Sequence, residues 1–405
     1  MENDIFVVEA ARTAEFSGRE KAALLCGTGD DALGLHILSE GVASSPGGGV
    51  AAKVAADTVL AVVKKNHPSD HNPQKCRDLL RYAFLQASNA VYEKGQQDPT
   101  LRGMNATLDA VWICGEHAVL GHIGDGRIYL SRGGVLSLLT EDHTFESVFV
   151  QEGVFMADKA GKSPFANVLT RAIGNRAADV ADMLLVELVH GDHLLVCSHG
   201  MTAGLGNDEK IAHALKNAGP APGQSLGALV HAARVQSQSG VVAGLLVSCK
   251  EKSGTGITGK LSAQLKVDAV KNCAFFKGLV YKDVMKFLEL ASPKTLKPGE
   301  VIMREGAVPH ELWVLLSGKV DVLKGGRVIG TRDPGIVLGE MALIRQSPRS
   351  ATVVAKDAVQ AIAVKNNDII ELMKRDNGFA ARFLWSVAAV LSERLDDMEK
   401  KFVGK

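Results

Sequence analysis

The chain has 405 residues, 46% hydrophobic and 22% charged, with a formal net charge of +1. That length exceeds one ordinary core, so two domains are expected, and the near-neutral balance excludes a global field that would draw in nucleic acid or an acidic membrane. The start, Met1-Glu2-Asn3-Asp4-Ile5, lacks the pattern of a secretion signal, and no apolar run reaches the roughly 18 residues a membrane helix needs. Six cysteines without Cys-x-x-Cys spacing fit buried reduced thiols, and a cytoplasmic location is expected.

Over residues 1–250 apolar strands alternate with helical segments. Strands are expected at Ile5–Val8, Leu35–Ser39, Leu108–Cys114, Val119–Ile123, Arg127–Ser131, Leu184–Val189, Leu194–Cys197 and Gly244–Val247. Helices are expected at Gly49–Lys65, Gln74–Lys94, Asp208–Ala218 and Leu226–Gln236. Two long helices fall between the second and third strands, which predicts an α+β sandwich instead of a regular βαβ repeat. Residues 251–262 read as a linker, polar and rich in Gly, Ser and Thr. Residues 263–405 form the second domain: a helix over Lys271–Ala291, short Gly-broken strands from Glu300 to Val364, then helices at Asn366–Lys374 and Phe379–Phe402. Short strands at regular spacing predict a β jelly roll or small barrel with flanking helices.

In the first domain the segments Gly103-Met-Asn-Ala-Thr-Leu, Gly121-His-Ile-Gly-Asp-Gly-Arg, Leu139-Thr-Glu-Asp-His-Thr, Leu169-Thr-Arg-Ala-Ile-Gly and Gly191-Asp-His-Leu-Leu-Val-Cys-Ser-His-Gly-Met-Thr stand out. Together they resemble the metal-dependent protein phosphatases of type 2C. The resemblance covers nearly all of residues 1–250 and implies an α-β-β-α sandwich, with two Mn²⁺ or Mg²⁺ ions between the sheets and a metal-bound water as nucleophile.

The acids that such a site needs are largely replaced. Where the family has Asn-Glu-Asp-Ala, this chain has Arg19-Glu20-Lys21-Ala22. Where it has Asp-Gly-Met-Gly-Gly-His, this chain has Glu40-Gly41-Val42-Ala43-Ser44-Ser45. His199 stands for the aspartate of Ser-Asp-Gly, and Ser239-Gly240-Val241-Val242 for Asp-Asn-Ile-Thr. Asp125 survives unchanged. A lysine a few ångströms from a divalent ion is repelled by several kcal/mol even at an effective dielectric of roughly 20. The resemblance therefore implies a pseudophosphatase with no catalytic residues, disfavours Mn or Mg, and leaves Glu40, Gly41 and Asp125 as ligands if any metal binds. Lys21, His199 and Glu40 are expected to form an ion cluster in the metals' place, one able to accept a phosphorylated peptide without cleaving it. Asp142 and His143 are expected to be structural. The alternative is a cyclic-nucleotide-regulated, Mn/Mg-dependent serine/threonine phosphatase.

In the second domain Gly339-Glu340-Met341-Ala342-Leu343 is followed, beyond Pro348, by Arg349-Ser350-Ala351-Thr352. A phosphodiester calls for a planar guanidinium fork, a glycine that lets amides approach, and a helix N-terminus aimed at the anion. These segments, with Leu296-Lys-Pro-Gly-Glu-Val-Ile and Leu312-Trp-Val-Leu-Leu-Ser-Gly-Lys-Val, resemble the phosphate cassette and barrel strands of cyclic-nucleotide-binding domains. The resemblance implies that Glu340 holds the ribose 2′-hydroxyl and Arg349 the cyclic phosphate. Amides of Met341, Ala342 and Ala351 complete the cradle, with Ser350 as a further donor. A threonine directly after the arginine often accompanies cGMP in this family; here it is Ser350, which can donate in either case, and the resemblance favours cAMP over cGMP as ligand.

Trp385 suits either stacking on a purine or core packing, with core packing favoured. Leu384, Ala388, Leu391, Leu395, Met398 and Phe402 make a short heptad seam through which a homodimer is conceivable. No helix-turn-helix follows, so DNA binding is not expected. The expected protein is a cytoplasmic cyclic-nucleotide receptor whose ligand modulates a degenerate phosphatase-like domain acting on an unknown protein partner.

Overall fold

The structure is a computed structural model, and it describes residues 6–16, 25–151, 167–216, 222–237, 241–251, 273, 275–276, 279–308, 310–339 and 348–403. It divides into two compact units, Met1–Ile257 and Thr258–Lys405. The expected linker lies almost entirely outside the described residues.

The first unit holds two antiparallel five-stranded sheets. In one, β2 (Leu25–Asp30), β3 (Leu35–Gly41), β4 (Ala106–Cys114), β5 (His117–Ile123) and β8 (Asp182–Glu187) lie in that order. In the other the order is β1 (Phe6–Phe16), β10 (Val241–Glu251), β9 (His193–Cys197), β6 (Arg127–Arg132) and β7 (Val135–Leu138). Helices α1 (Gly48–Asn66) and α2 (Pro73–Gln97) cover the first sheet. In α1, Ala51, Ala55, Val59 and Val63 recur at helical spacing and are fully buried. Asn72 caps α2 by accepting from the N–H groups of Gln74 and Lys75, and a proline opens the helix.

Strand alternation assigns the two faces of the first sheet. Leu35, Ile37, Leu108, Ala110, Trp112, Val119 and Ile123 pack with the buried residues of α1 and α2. The alternate residues, among them His36, Leu38, Glu40, Thr107, Asp109 and His122, point to the other face. The second sheet packs Leu195, Cys197, Val242 and Leu246 against Met201, Leu226 and Val230. Those three belong to α4 (His199–Leu205) and α6 (Pro222–Gln236). Burying each such side chain contributes roughly 1.5–3 kcal/mol over leaving it exposed. The result is the expected α-β-β-α sandwich.

In the second unit one sheet has the order β11 (Ser292–Leu296), β18 (Val359–Lys365), β13 (Glu311–Ser317), β16 (Val337–Leu338). The other runs β12 (Val301–Met303), β17 (Thr352–Ala355), β14 (Val320–Lys324), β15 (Arg327–Arg332). All pairings are antiparallel, and the core between them includes Trp313, Leu315, Val320, Val353 and Ala361. This is the jelly-roll arrangement expected. Helices α7 (Tyr281–Glu289), α8 (Asn366–Arg375) and α9 (Asn377–Val403) flank it.

Several elements differ from expectation. The first strand runs to Phe16 because it pairs along its whole length with β10, from Phe6 with Glu251 to Phe16 with Val241; its alanines and polar residues hide that in the sequence. The short elements Leu25–Asp30, Val135–Leu138, α3 (Phe145–Gln151) and α4 were not anticipated. Among the described residues of the helix expected over Lys271–Ala291, the helical stretch is Tyr281–Glu289. Phe275 and Phe276 lie ahead of it and pack edge-on with each other and against Phe287 and Phe383, so their apolar character serves a cluster and not a helix face. Among the described residues no helix is long and apolar enough to cross a membrane.

Candidate functional site

Each unit carries one candidate site. In the first, a cavity of about 680 Å³ is lined by Glu40, Thr107, Asp125, Asn167, His199 and Gln236, among others. Glu40 is delivered by the end of β3. There Gly41 and Gly48 pass so closely that a β-carbon on Gly41 would lie 2.2 Å from the Gly48 carbonyl carbon. Asp125 sits at the tip of the turn between β5 and β6, after Gly124, whose φ of 121° favours glycine. His199 opens α4, which Ser198 caps by accepting from the Met201 N–H at 3.3 Å.

The central contact is between Asp125 Oδ2 and His199 Nδ1, 3.2 Å apart. Burial raises the Asp125 carboxyl, and the His199 ring opposes that shift. Glu40 is pushed up to about 8, first by burial and then by the charges of Asp125 and Asp109. Behind them Asp142 receives Arg127 through two bonds, at 2.9 and 2.7 Å, and His143 Nδ1 accepts from the Gly124 N–H at 3.1 Å. Both are thus engaged in contacts within the fold.

Of the expected cluster of Lys21, His199 and Glu40, the last two line this cavity, and His199 pairs with Asp125, whose turn it faces from the start of α4. Glu20, Lys21 and Ser239 lie outside the described residues. Glu40, Gly41, Asp125 and His199 are brought together on one cavity. Asp109 and His122 were missed. Their signal was an acid and a histidine on otherwise apolar strands, where a buried charge requires a partner. Among the described residues no group of three or more His, Cys, Asp or Glu is arranged to hold a metal ion.

In the second unit Glu340, Met341 and Ala342 lie outside the described residues. Gly339 has a φ of 89°, and a β-carbon there would stand 2.2 Å from Arg349 Nη1. Arg349 donates to the carbonyls of Gly339 at 3.3 Å and Glu311 at 2.5 Å. Its backbone is held on both sides, N–H to the Ala307 carbonyl at 2.9 Å and carbonyl to the Gly306 N–H at 2.8 Å. Ser350 is exposed, Ala351 half-buried, and Thr352 Oγ1 accepts from the Glu305 N–H at 3.0 Å. Arg349 is thus fixed at the edge of the barrel beside Gly339.

Trp385 corrects the packing expectation. It is 76% exposed, and Leu384 beside it 47%. The helix turns Phe383, Ser386 and Val387 inward instead. Of the seam, Leu391 is half-buried, and only the helical backbone is described at Leu395, Met398 and Phe402.

Comparison with known proteins agrees with both geometries. Residues 22–222 match the Protein phosphatase 2C family and residues 293–376 the Cyclic nucleotide-binding domain. A protein phosphatase of 2C type from Streptococcus pyogenes is 30% identical over 178 residues, 44% of this chain and 71% of that protein. Serine/threonine protein phosphatase PstP of Mycobacterium tuberculosis is 32% identical over 206 residues, half of this chain and 38% of that protein. Among solved structures, the Mycobacterium tuberculosis PstP phosphatase superposes with a TM-score of 0.53 at 25% identity, covering 60% of this chain and 99% of that one. Stp1 from Staphylococcus aureus does so at 0.56 and 20%, covering 60% and 95%. The chain belongs to the type 2C protein phosphatase family and carries a cyclic-nucleotide-binding domain later in its sequence.

Proposed function

We propose that the chain is a cytoplasmic cyclic-nucleotide receptor, with cAMP as the favoured ligand, whose phosphatase-fold domain meets a protein partner without metal-dependent turnover. One observation carries this reading. Asp125 is paired with His199 at 3.2 Å, so the carboxylate that a metal site would call on already faces an imidazole. Hard divalent ions need a shell of about six oxygen donors with several carboxylates. The described donors, Glu40 and Asp125 with His199 between strands and helix, do not fit a dinuclear ion pair. For the nucleotide, the support is the fixed Arg349 beside Gly339 and the domain match.

Nucleotide acts as a switch only by binding two states of the protein with different affinity. In this reading one of those states differs in how the phosphatase-fold domain presents its cavity to the partner.

A second reading, a cyclic-nucleotide-regulated serine/threonine phosphatase using Mn or Mg, is favoured by the two carboxylates facing one cavity and by the named activities of the relatives. Calorimetry with cAMP and cGMP on the wild type and Arg349→Ala, followed by a Mn²⁺-dependent phosphoester assay, separates the readings. Binding lost in Arg349→Ala, cAMP tighter than cGMP and no Mn²⁺-dependent hydrolysis is the expected result. Hydrolysis that Asp125→Ala abolishes establishes the second reading, and absence of any nucleotide binding to the wild type defeats both.

A further inference from the structure

Asp109 lies within β4, Ala106–Cys114, whose every residue is buried. Its carboxylate faces in two directions. Oδ1 lies 2.7 Å from Nδ1 of His122, its register partner on β5. The other ring nitrogen, His122 Nε2, lies 3.0 Å from the Glu141 carbonyl. A carbonyl only accepts, so Nε2 carries a hydrogen, and one further hydrogen is shared between Nδ1 and the Asp109 carboxyl. The pair is buried, with both partners 2% exposed.

Oδ2 faces the turn that presents Asp125. A β-carbon on Gly126 would stand 2.0 Å from it, so the Asp109 carboxylate fills the space a side chain at 126 would need. On the other flank Gly124 is gripped by His143: its N–H donates to Nδ1 at 3.1 Å, and its carbonyl accepts from the His143 N–H at 2.7 Å. The rings of His122 and His143 are 4.5 Å apart. The residues before and after Asp125 are thus seated on one buried histidine pair with its acid.

We propose that Asp109 and His122 are positioning residues that hold the Gly124–Gly126 turn in the conformation from which Asp125 reaches His199. Neither lines the cavity that Asp125 and His199 face. They act through the turn, in the way a buried, fully paired polar network rigidifies the groups above it. This inference goes beyond the receptor reading and stands whether or not the domain turns over a phosphoester.

The test uses the full chain and long-range ¹H–¹⁵N spectra of its imidazoles at mildly alkaline pH, with His199 assigned by loss of its signals in His199→Gln. A solvated neutral imidazole carries its hydrogen mainly on Nε2, whereas donation to Asp125 places it on Nδ1. The wild type is expected to show the Nδ1–H signature at His199. Asp109→Ala and Gly126→Ala, each alone, are expected to lose it. Asp109→Asn, which keeps an acceptor for His122 and the same volume under the turn, is expected to retain it. The double variant Asp109→Ala/Gly126→Ala is expected to regain it, because the added methyl fills the vacated space, and to melt above Gly126→Ala. An unchanged His199 signature in the folded single variants overturns the proposal. Should Asp109→Ala not fold, a double variant melting no higher than Gly126→Ala overturns it equally.

Discussion

Asp125 and His199 meet at 3.2 Å across the cavity between the β5–β6 turn and the start of α4. A carboxylate facing an imidazole can compensate its charge internally. Two carboxylates about 4 Å apart instead repel by roughly 4 kcal/mol at an effective dielectric of 20, and a divalent ion removes that cost. On the receptor reading proposed above, the pair takes the place that a metal has in a cluster of acids.

His199→Asp is expected to reverse that relationship. In chelator the variant should melt below the wild type, because a second carboxylate replaces the partner of Asp125. Mn²⁺ should raise its melting temperature while leaving the wild type nearly unchanged, in keeping with stabilisation by a ligand that binds only the folded state. Thermal melts with and without Mn²⁺ check it, and an equal response in the wild type contradicts the proposed loss of metal dependence.

Glu40 sets a pH dependence of definite sign. Its folded carboxyl is raised from 4.5 to about 8, so between those values the folded state keeps a proton that the unfolded state has released. Stability falls across that window as pH rises. Glu40→Gln cannot ionise. It should match the wild type near the lower end and exceed it by about 1–3 kcal/mol towards the upper end. Denaturant melts across the window read the difference.

His143 produces the opposite limb. Burial, with His122 and Arg171 nearby, lowers it from 6.5 to about 4, so the folded ring stays neutral where the unfolded one takes a proton. Stability is therefore complete above 6.5 and lost as pH falls towards 4. His143→Asn, which keeps an acceptor for the Gly124 N–H, should flatten this acid limb in the same melts.

Gly339→Ala should weaken nucleotide binding without touching a ligand atom. The residue has positive φ, and its β-carbon would stand 2.2 Å from Arg349 Nη1, so the guanidinium must leave its two carbonyl partners. A strain of about 1–2 kcal/mol transmitted to Arg349 corresponds to roughly a 5- to 30-fold loss of affinity. Calorimetry with cAMP measures it.

Asp283 on α7 is fully buried and receives Arg382 of α9 through bonds of 2.5 and 3.1 Å. Asp283→Asn leaves a guanidinium facing a neutral amide and should cost about 2–4 kcal/mol. The unfolding transition that cyclic nucleotide shifts is the one to follow.

Much of the architecture was legible because its signals are local. Helix α1 announces its buried face through Ala51, Ala55, Val59 and Val63, and α2 its start through Asn72 and Pro73. The cassette around Gly339 and Arg349 is read from residue types within one short stretch. What escaped had no local period. Strand β1 is alanine-rich and polar, and only pairing with β10 makes it a strand. The aromatic cluster of Phe275, Phe276, Phe287, Phe379 and Phe383 joins residues from three separate segments. Trp385 is hydrophobic enough for a core but projects from the side of α9 opposite Phe383 and Val387.

The sequence by itself determined the two folds and the glycine–arginine pair of the second domain, since each depends on residue type and nearest neighbours along the chain. Only the tertiary structure decided the partners. Side-chain alternation put Glu40, Asp109 and His122 on one face of one sheet, and the start of α4 brought His199 to Asp125. Those contacts depend on register and on which strands lie side by side, and no residue carries that information alone.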